Sequence, residues 1–401
     1  MSTSLFYRMQ GVRVYRHQKF ELLKGGNLRL HFSIPPERCS CPVCGHQHLW
    51  IKEWRERELT GLPFGRNKTT LVVKIPKLEC LSCHTIRQAP LSFARPNKHY
   101  THKFEEYVVW LLSMMTVIDV ARTLDVSWDT VREIEQHYLG KHFSHPSLKG
   151  LRYIAIDEIS SKKGFVFLTL VMNLETGAVI YVGDGRQEDA LKPFWKRLRR
   201  AGSRILAVAT DMSRPYTKAI RENLPNAVHV FDRFHIVKMF NEVIDNVRRY
   251  LYAKIQNKDE RRTLKGMKYI LLKRPENLDS SKGEPERLRQ TLEANQELNT
   301  LYYLKEELYS LWDEEEKESA QGKMLDVISY MLSLNIPYLK RFAKSLRDHA
   351  LGILAWFDYQ ITTGPLEGLN NKIKVIKRKA YGFRNMDYFK LKILSCHVRR
   401  P

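Results

Sequence analysis

Four cysteines are arranged in two C-x-x-C pairs, the spacing at which two thiolates can reach one tetrahedral metal ion. The pairs are Cys41–Cys44 and Cys80–Cys83, and two such pairs complete a four-sulfur shell for zinc. The interval between them contains a strand-like stretch, 68–75, and a Gly-rich turn, 61–65. The pattern predicts a zinc ribbon with an inserted hairpin. Three alternatives stay open: four ordinary thiols, replacement of Cys41 by Cys39 as a ligand, or substitution by the weaker ligands His46, His48 or His84.

Two aspartates follow apolar segments that are typical of buried strands. Asp157 ends the stretch 151–157 and Asp211 ends the stretch 205–211. Functional groups collect at the carboxyl ends of strands in α/β sheets, so we expect the two carboxylates to form one negative pocket. Hard divalent cations prefer carboxylate oxygens and would neutralise such a pocket. The alternative is that each aspartate merely caps the segment that follows it.

A third acidic residue, Glu367, precedes a strongly basic helix. The stretch 360–379 reads as a helix entered through a Gly-Pro turn, and Asn370, Asn371 and Lys374 can share the face of Glu367. Basic side chains with aromatic residues between them suit phosphate contact and base stacking, although an ordinary solvated helix face is the alternative. The predicted phosphate-binding residues are Lys372, Lys374, Lys377, Arg378, Lys379 and Arg384, with Tyr381 and Phe383 interleaved.

Two short helices are predicted between the cysteines and the first aspartate, at 116–124 and 127–138. A tight turn at Asp125 separates them, and Ser127 is a natural N-cap for the second helix. A small apolar core is expected from Ala121, Val126, Val131 and Ile134. The outward side chains, which would read DNA bases in a helix-turn-helix, are Trp128, Arg132, Gln136 and His137. A plain helical hairpin would give the same pattern.

The sequence after Gly150 alternates between strand and helix patterns, as α/β layers do. Predicted strands lie at 151–157, 164–172, 178–182, 205–211 and 227–231, with helices at about 187–201 and from Asp232 onward. Farther along, Leu301, Leu304, Leu308 and Leu311 repeat at helical spacing.

Composition restricts the classes of function. The 401 residues contain 67 Lys and Arg against 44 Asp and Glu, a net charge of +23. Solubility needs only about 2–8 charges, so the excess indicates a polyanionic partner, with nucleic acid as the first expectation. Six cysteines are too few for a disulfide scaffold. No apolar run approaches the roughly 20 residues of a membrane span, and no apolar signal segment follows the first Met.

Taken together, these motifs resemble the DDE transposases of the ISL3 insertion-sequence family, nearly from end to end. The resemblance rests on the two cysteine pairs, Asp119–Val131, Ala155–Glu158, Thr210–Tyr216, Pro225–His235 and Gly364–Arg384. It implies a ribonuclease H-like catalytic domain in which Asp157, Asp211 and Glu367 bind two Mg²⁺ or Mn²⁺ ions. It also implies that His235, in the D-x-x-H motif that starts at Asp232, positions DNA or a catalytic side chain.

The resemblance gives a multidomain α/β organisation. The expected parts are a zinc-ribbon domain at 1–95, a helix-turn-helix domain at 96–148, a catalytic core at 149–253 and 346–401, and an inserted all-α domain at 254–345. A DDE transposase would bind the terminal inverted repeats of its element and target DNA as a dimer or larger assembly. Metal-dependent strand cleavage and transfer would follow, in the bacterial cytoplasm at the nucleoid. The alternatives are a zinc-containing transcriptional regulator with a non-catalytic α/β domain and a nuclease that cuts without joining.

Overall fold

The computed structural model describes residues 3–162, 166–256 and 258–397. The chain forms two compact units. The first comprises the described parts of 1–144 together with 376–392, and the second comprises the described parts of 145–375 together with 393–397. In the described ranges, no helix has both the length and the apolar character that a membrane crossing requires.

The elements up to residue 144 are four helices and five strands within the described residues. In chain order they are α1 (Thr3–Gln10), β1 (Arg16–Leu22), β2 (Leu28–Ser33), β3 (Leu49–Thr60), β4 (Thr69–Cys80), β5 (Ile86–Gln88), α2 (His102–Leu111), α3 (Val117–Leu124) and α4 (Trp128–Phe143).

The remaining elements begin with alternating strands and helices and then become helical. They are β6 (Tyr153–Lys162), β7 (Val166–Asn173), β8 (Ala178–Asp184), α5 (Lys192–Ala201), β9 (Ala207–Thr210), α6 (Arg214–Asn223), β10 (Val228–Phe231), α7 (Arg233–Lys254), α8 (Lys258–Gly266), α9 (Lys268–Leu272), α10 (Glu284–Ala294), α11 (Gln296–Ser310), α12 (Lys317–Ser333), α13 (Pro337–Asp348), α14 (Ala350–Leu354), α15 (Trp356–Tyr359), α16 (Gly364–Lys379) and α17 (Met386–Leu394).

The sheet of the first unit has the order β1-β2-β4-β3, with β5 also paired to β4. Strands β3 and β4 form a long antiparallel hairpin whose register runs from Leu49 opposite Cys80 to Thr60 opposite Thr70. The hairpin predicted between the cysteine pairs is therefore present, and its second strand extends beyond the predicted 68–75. The two strands pair along nearly their whole length, with one register shift between Ile51 and Glu53, so the hairpin brings the two cysteine pairs to the same end.

Helices α2, α3 and α4 pack around one apolar core. Phe104, Val108, Val120, Val131 and Ile134 are all buried in it. The side chains of Thr101, Thr116 and Ser127 cap the three N-termini by accepting hydrogen bonds from backbone amides. Asp125 adopts a left-handed conformation (φ 48°) at the predicted turn, which lets α4 begin immediately afterwards.

A C-terminal segment of the chain belongs to the first unit. The carboxylate of Glu135, which is fully buried on α4, accepts hydrogen bonds from the Tyr388 hydroxyl and from the Lys392 ammonium group on α17. The second of these contacts measures 2.7 Å. A buried carboxylate requires such partners, so α17 is fixed against α4 by charge as well as by packing.

The sheet of the second unit has the order β10-β9-β6-β7-β8. Strands β6, β7 and β8 form an antiparallel meander, whereas β9 pairs in parallel with β6 and β10 pairs in parallel with β9. Ile154 and Ile156 pack with residues of α5 and α6 on one face of the sheet. On the other face, Ala207 and Val230 pack with Ala355 before α15.

Helices α7 to α14 form a second core within the same unit. The predicted repeat of Leu301, Leu304, Leu308 and Leu311 is buried there. A buried cation, Lys305, is satisfied by carbonyl groups, because its ammonium donates to the oxygens of Leu271 and Lys273.

Several predicted boundaries were wrong. The second helix of the predicted helix-turn-helix ends at Phe143 and not at Tyr138. Helix α5 begins at Lys192 rather than near 187, since 188–191 forms a 3₁₀ turn before Pro193. Strand β6 does not end at Asp157 but continues to Lys162, because its second half pairs with β7.

Candidate functional site

Asp157 lies in the middle of β6, at the level where the parallel neighbour β9 has ended. The β6–β9 pairing runs only from Tyr153 opposite Ala207 to Ala155 opposite Ala209. Asp211 is the first residue after β9, and its carboxylate accepts a hydrogen bond of 3.0 Å from the amide of Ser213. The sequence therefore placed the two aspartates on neighbouring strands, and the structure has them on β6 and at the end of β9.

Helix α16 contacts Asp157 directly. The amide group of Asn370 donates a hydrogen bond of 2.9 Å to Oδ2 of Asp157, 213 residues away in the sequence. The other carboxylate oxygen, Oδ1, accepts a 2.7 Å hydrogen bond from the amide of Glu158. Because both oxygens are held, the carboxylate of Asp157 has a defined orientation toward α16.

The electrostatic surroundings of Asp157 disfavour its negative charge. Burial raises the pKa of Asp157, and the negative charge of Asp211 raises it further. The amide of Glu158, the charge of His235 and the Asn370 hydrogen bond act in the opposite direction without cancelling the effect. A bound cation would supply the missing positive charge.

Glu158 is a fourth carboxylate that the motifs did not single out. Burial and the charge of Asp211 raise the pKa of Glu158, while Arg186 lowers it. Adjacent residues of a strand point to opposite faces, so Glu158 lies on the face of Ile154 and Ile156 and Asp157 lies on the other. The acidic pair in the sequence is thus divided between the two faces of β6.

Tyr216 closes the Glu158 side of the sheet. Its ring is almost completely buried, and its hydroxyl lies 3.2 Å from Oγ1 of Thr169. Burial raises the pKa of Tyr216, and the charges of Glu158 and Asp211 add to that rise. Tyr216 therefore stays uncharged and packs as a buried side chain beside the carboxylates.

Asp232 connects the start of α7 to the start of α16. It follows β10, its amide donates to the carbonyl of Thr210, and its Oδ1 caps α7 by accepting from the amide of Phe234 at 2.9 Å. Its Oδ2 accepts from both the amide and the hydroxyl of Thr363, the residue before α16. Asp232 is 3% exposed, so it holds these two helix starts rather than facing solvent.

His235 lies in the first turn of α7, three residues after Asp232. Its Nδ1 is 4.0 Å from Oδ2 of Asp232, which is too far for a hydrogen bond. In the described part of the chain this nitrogen is buried and has no hydrogen-bond partner. A positive charge on His235 would lower the pKa of Asp157.

Glu367 is exposed in the first turn of α16, three residues before Asn370. Residues three apart share a helix face, so Glu367 lies one turn from the residue that contacts Asp157. Its carboxylate does not come close enough to the two aspartates to form a three-ligand metal group with them. Within the described ranges, only the four cysteines form a group of potential metal ligands, with all ligand atoms within 4.8 Å of one another.

The four cysteines converge as the spacing predicted. Cys41 Sγ lies 3.7 Å from Cys83 Sγ, and Cys44 Sγ lies 3.5 Å from Cys80 Sγ. All four sulfur atoms lie within 4.8 Å of one another. Tetrahedral zinc–sulfur bonds of about 2.3 Å place sulfur atoms about 3.8 Å apart, which agrees with these distances.

Cys39 does not join this group. Its thiol contacts the carbonyl of Pro35 at 3.7 Å, and burial raises its pKa. Hydrogen bonds from the amides of Cys44 and Val43 instead lower the pKa of Cys41 to about 6. Cys41 therefore belongs to the four-sulfur group, and Cys39 lies outside it.

The two cysteine pairs have matching turns. The residues four positions after Cys41 and Cys80 donate their amides to the carbonyls of those cysteines, at 2.9 Å in both cases. These residues are Gly45 and His84, and both have positive φ angles of 78° and 56°. The two turns therefore have the same backbone shape, although the second has a histidine where the first has a glycine.

Helix α4 presents the predicted base-reading side chains. Trp128 is 45% exposed, and the guanidinium of Arg132 lies 4.7 Å above its ring. Arg132 also pairs with Asp129 at 3.1 Å, and Gln136 is half-buried. The exposed face of α4 therefore combines aromatic and cationic groups.

The predicted basic patch is only partly available for phosphate. Lys372 donates to the carbonyl of Cys396, and burial lowers the pKa of Lys377. Lys374 contacts Asn371 at 3.3 Å. Lys372 and Lys374 are exposed but engaged in these contacts, and Arg378, Lys379 and Arg384 are exposed beside a fully exposed Tyr381.

Comparison with known proteins identifies the family. The transposase domain of the ISL3 family matches residues 154–393, the helix-turn-helix domain of transposase family ISL3 matches 89–139, and the zinc-finger of transposases IS204, IS1001, IS1096 and IS1165 matches 37–83. The first match covers more than half of the chain.

Two curated relatives extend over most of the chain. The transposase for insertion sequence element IS1001 of Bordetella parapertussis is 32% identical over 372 residues, which cover 92% of this chain and 91% of the relative. The transposase for element IS1557 of Mycobacterium tuberculosis is 26% identical over 376 residues, covering 86% and 82%. A Drosophila P element transposase strand transfer complex aligns with a TM-score of 0.40 and 11% identity, over 74% of this chain and 91% of that chain.

The chain is therefore a DNA transposase, and it belongs to the ISL3 family of insertion-sequence transposases. The zinc ribbon and the helix-turn-helix belong to the same family pattern, so the predicted zinc-dependent transcriptional regulator is not favoured. The family's zinc ribbon and the four-cysteine group together support structural zinc, and the transposase domain implies a divalent metal ion.

Proposed function

We propose that this transposase binds the terminal inverted repeats of its element and catalyses metal-dependent cleavage and transfer of DNA strands. Asp157, Asp211 and Glu367 are the proposed metal-binding residues. The observation that carries the proposal is the hydrogen bond between Asn370 and Asp157, because it brings the helix of Glu367 to the two strand aspartates.

The topology of the second unit supports a ribonuclease H-like core. An antiparallel meander of three strands is followed by two strands parallel to its first strand, and the order is β8-β7-β6-β9-β10. Helices α8 to α12 lie within 254–345, and α13 begins there and ends at Asp348, all between the last strand and α16. We infer that this helical stretch is an insertion that separates Asp211 from Glu367 in the sequence.

The chemistry of the donor set fits Mg²⁺ or Mn²⁺. Asp157 carries a charge that its surroundings do not neutralise, and Oδ1 of Asn370 is buried without a hydrogen-bond partner among the described residues. Both are oxygen ligands of the kind that these cations select. Two bound ions would activate the attacking oxygen and stabilise the leaving oxygen during in-line displacement at phosphorus.

The residues of this chain orient the reaction. Asn370 and the amide of Glu158 fix the two oxygens of Asp157, and Asp232 fixes the starts of the helices that carry His235 and Glu367. Glu367 is exposed in the structure, so we infer that binding of metal and DNA draws it toward the aspartates. In the first step water releases a 3′-hydroxyl at the element end, and in the second that hydroxyl attacks target DNA.

DNA recognition is assigned to other parts of the chain. The exposed face of α4, with Trp128, Arg132 and Gln136, would enter the major groove of the terminal repeat. Arg378, Lys379 and Arg384 would contact phosphates without reading sequence. Two ends must be brought together for transposition, so we expect a dimer or larger assembly on DNA, working at the nucleoid in the bacterial cytoplasm.

Strand cleavage by purified protein tests this proposal. Asp157→Asn and Glu367→Gln should each abolish metal-dependent nicking of DNA that carries the element ends and should leave end binding intact. Glu315→Gln, a change at an exposed acidic residue of the helical stretch, is the matched control and should cleave normally. Cleavage by correctly folded Asp157→Asn protein would contradict the assignment, and a strand-transfer product separates a transposase from a nuclease.

A further inference from the structure

A cavity of about 560 Å³ lies in the second unit beside the start of α7. It is enclosed by α7, by the residues after α9 and by the end of α11. Its wall combines basic and aromatic side chains, which are Arg233, Phe234, Lys238, Arg274, Tyr309 and Trp312. The proposed cleavage mechanism uses none of them.

The cavity adjoins the proposed catalytic centre through Phe234. This side chain is 51% exposed, and its ring makes an edge-to-face contact with His235 at a centroid distance of 5.8 Å. The amide of Phe234 donates to the carboxylate of Asp232, which also accepts from the amide of Thr363, the residue before the helix of Glu367 and Asn370. A group in the cavity would therefore lie beside the helix start that is bonded to the start of α16.

The chemistry of the wall matches a nucleotide. Phe234 provides an exposed aromatic face and Tyr309 a half-buried one, on which any base can stack, whereas Trp312 is buried. Arg233, Lys238 and Arg274 provide three positive charges for phosphate, against one acidic residue in the lining, Asp313. The Arg274 charge is shared with Glu276 at 3.5 Å, and its guanidinium lies 4.3 Å above the ring of Tyr309.

Unsatisfied polar atoms in the wall also indicate a ligand. The indole Nε1 of Trp312 is buried and has no hydrogen-bond partner in the described ranges. Oδ1 of Asn241 is also buried without a partner there, while the Asn241 side chain hydrogen-bonds to Tyr309. Trp312 itself is 7% exposed. Buried polar atoms without partners are rare in proteins, and a base edge carries the donors and acceptors that would satisfy them after a small side-chain adjustment.

We propose that this cavity receives one unstacked nucleotide of the DNA strand at the element end. This inference rests on the proposed cleavage function. The volume is within the range of about 300–1,000 Å³ typical of small-molecule sites, so it admits a single nucleotide and excludes a duplex. Extraction of one nucleotide would fix the register of the adjacent phosphate at the carboxylates, because the base would be held by aromatic stacking.

Photo-crosslinking of the full-length protein to end DNA tests the proposal directly. The probe is 5-iodouracil, placed in turn at each position around the cleaved bond, and the complex is irradiated in Ca²⁺. Because Ca²⁺ permits binding without cleavage, this readout is independent of whether the proposed cleavage occurs. We expect one position to crosslink to Phe234, Tyr309 or Trp312. Crosslinks confined to residues outside the cavity, in a complex that binds end DNA, would overturn the proposal.

Cleavage rates of a Phe234 variant, measured on normal DNA and on DNA with an abasic site, supply the second measurement. Phe234→Ala should slow cleavage about tenfold, since loss of stacking weakens the hold on the base. Phe234→Tyr should restore the rate, and an abasic site at the crosslinking position should reduce the difference between Phe234→Ala and the native protein. Tyr330→Ala, which removes an exposed ring elsewhere in the second unit, is the control.

Free nucleotide is the other source of the same chemistry. Binding of ATP and dAMP to the protein without DNA distinguishes the two sources. We expect free nucleotides to bind weakly and to leave the yield of crosslinked DNA unchanged when they are added before irradiation. Tight binding of a free nucleotide that is lost in Phe234→Ala and that prevents crosslinking would overturn the assignment to the DNA strand.

Discussion

The buried carboxylate of Asp232 is bonded to Thr363, 131 residues farther along the chain, through both the amide and the hydroxyl of the threonine. The same carboxylate caps α7 through the amide of Phe234. One side chain therefore fixes the helix of His235 and the helix of Glu367 relative to the end of β10. The aspartate of the D-x-x-H motif is a positioning residue.

Removal of the threonine hydroxyl tests this role. Thr363→Val deletes one hydrogen bond to a buried charge, which costs about 1.5–3 kcal/mol. We expect the free energy of unfolding to fall by that amount and the cleavage rate to fall with it, while the affinity for element ends stays the same. Thr300→Val, which removes an exposed hydroxyl bonded within α11, is the control. An unchanged cleavage rate in Thr363→Val would contradict the positioning role.

Asn370 should be needed for catalysis and not for DNA binding. Asn370→Ala frees one oxygen of Asp157, and loss of such supporting contacts at metal sites typically lowers activity 10–100-fold. Cleavage rate and end-binding affinity, measured on the same protein, separate the two effects. Asn371→Ala alters the exposed neighbouring position and should cleave at the native rate. Equal rates for the two variants would show that the Asn370 contact does not support the reaction.

Zinc content should depend on Cys44 and not on Cys39. Cys44→Ser removes a ligand from the four-sulfur group, so the first unit should lose its zinc and much of the binding energy of about 10–16 kcal/mol that holds such modules together. Cys39→Ser should retain the metal, because that thiol lies outside the group. Metal analysis and the affinity for end DNA provide the measurements. Zinc loss in Cys39→Ser, or full zinc in Cys44→Ser, would refute the ligand set.

Acid should weaken the helix-turn-helix through Glu133. Burial alone would raise the pKa of Glu133, but hydrogen bonds from Arg95, Tyr100 and Lys98 outweigh it and hold the pKa at about 2. A lowered pKa stabilises the folded state above the unfolded value of about 4.3, and this contribution is lost as the pH falls toward 2.

The comparison of native protein with Glu133→Gln isolates that contribution. The variant should be less stable at pH 7, and the difference should narrow as the pH decreases from 5 to 2. Thermal unfolding followed by circular dichroism measures it. Glu106→Gln, at an exposed carboxylate paired with Lys103, is the control. A stability difference that stays constant over this pH range would contradict the assignment of the ion pairs.

Local patterns were sufficient to predict the N-cap of α4, the strands before Asp157 and Asp211, and the cysteine group. Ser127 caps α4 because its side chain needs only its own neighbours, and the apolar stretches before Asp157 and Asp211 need only burial. Strand β3 was not predicted because it lies at the edge of the sheet, where most of its side chains are at least partly exposed. It contains charged residues such as Glu53 and Arg57 and only one buried side chain, Leu59, so it lacks the apolar pattern of a buried strand.

Contacts between distant segments were beyond local patterns. The continuation of β6 past Asp157 depends on pairing with β7. The hydrogen bond from Asn370 to Asp157 joins residues that are 213 positions apart in the sequence. The sequence placed Asn370 on the face of Glu367, yet nothing in its spacing showed that the asparagine, and not the glutamate, would contact the aspartate. Glu158 was within a recognised motif, but its charge interaction with Asp211 depends on the fold.

Iron-directed cleavage of the polypeptide is the most direct test of a shared metal site. Fe²⁺ bound in place of Mg²⁺ generates hydroxyl radicals in the presence of ascorbate and peroxide, and these cut the backbone close to the ion. With end DNA bound, we expect cuts near 157, 211 and 367 that excess Mg²⁺ suppresses and that Asp157→Asn eliminates. Cuts near the two aspartates without any near 367, or an unchanged pattern in Asp157→Asn, would contradict a shared metal site.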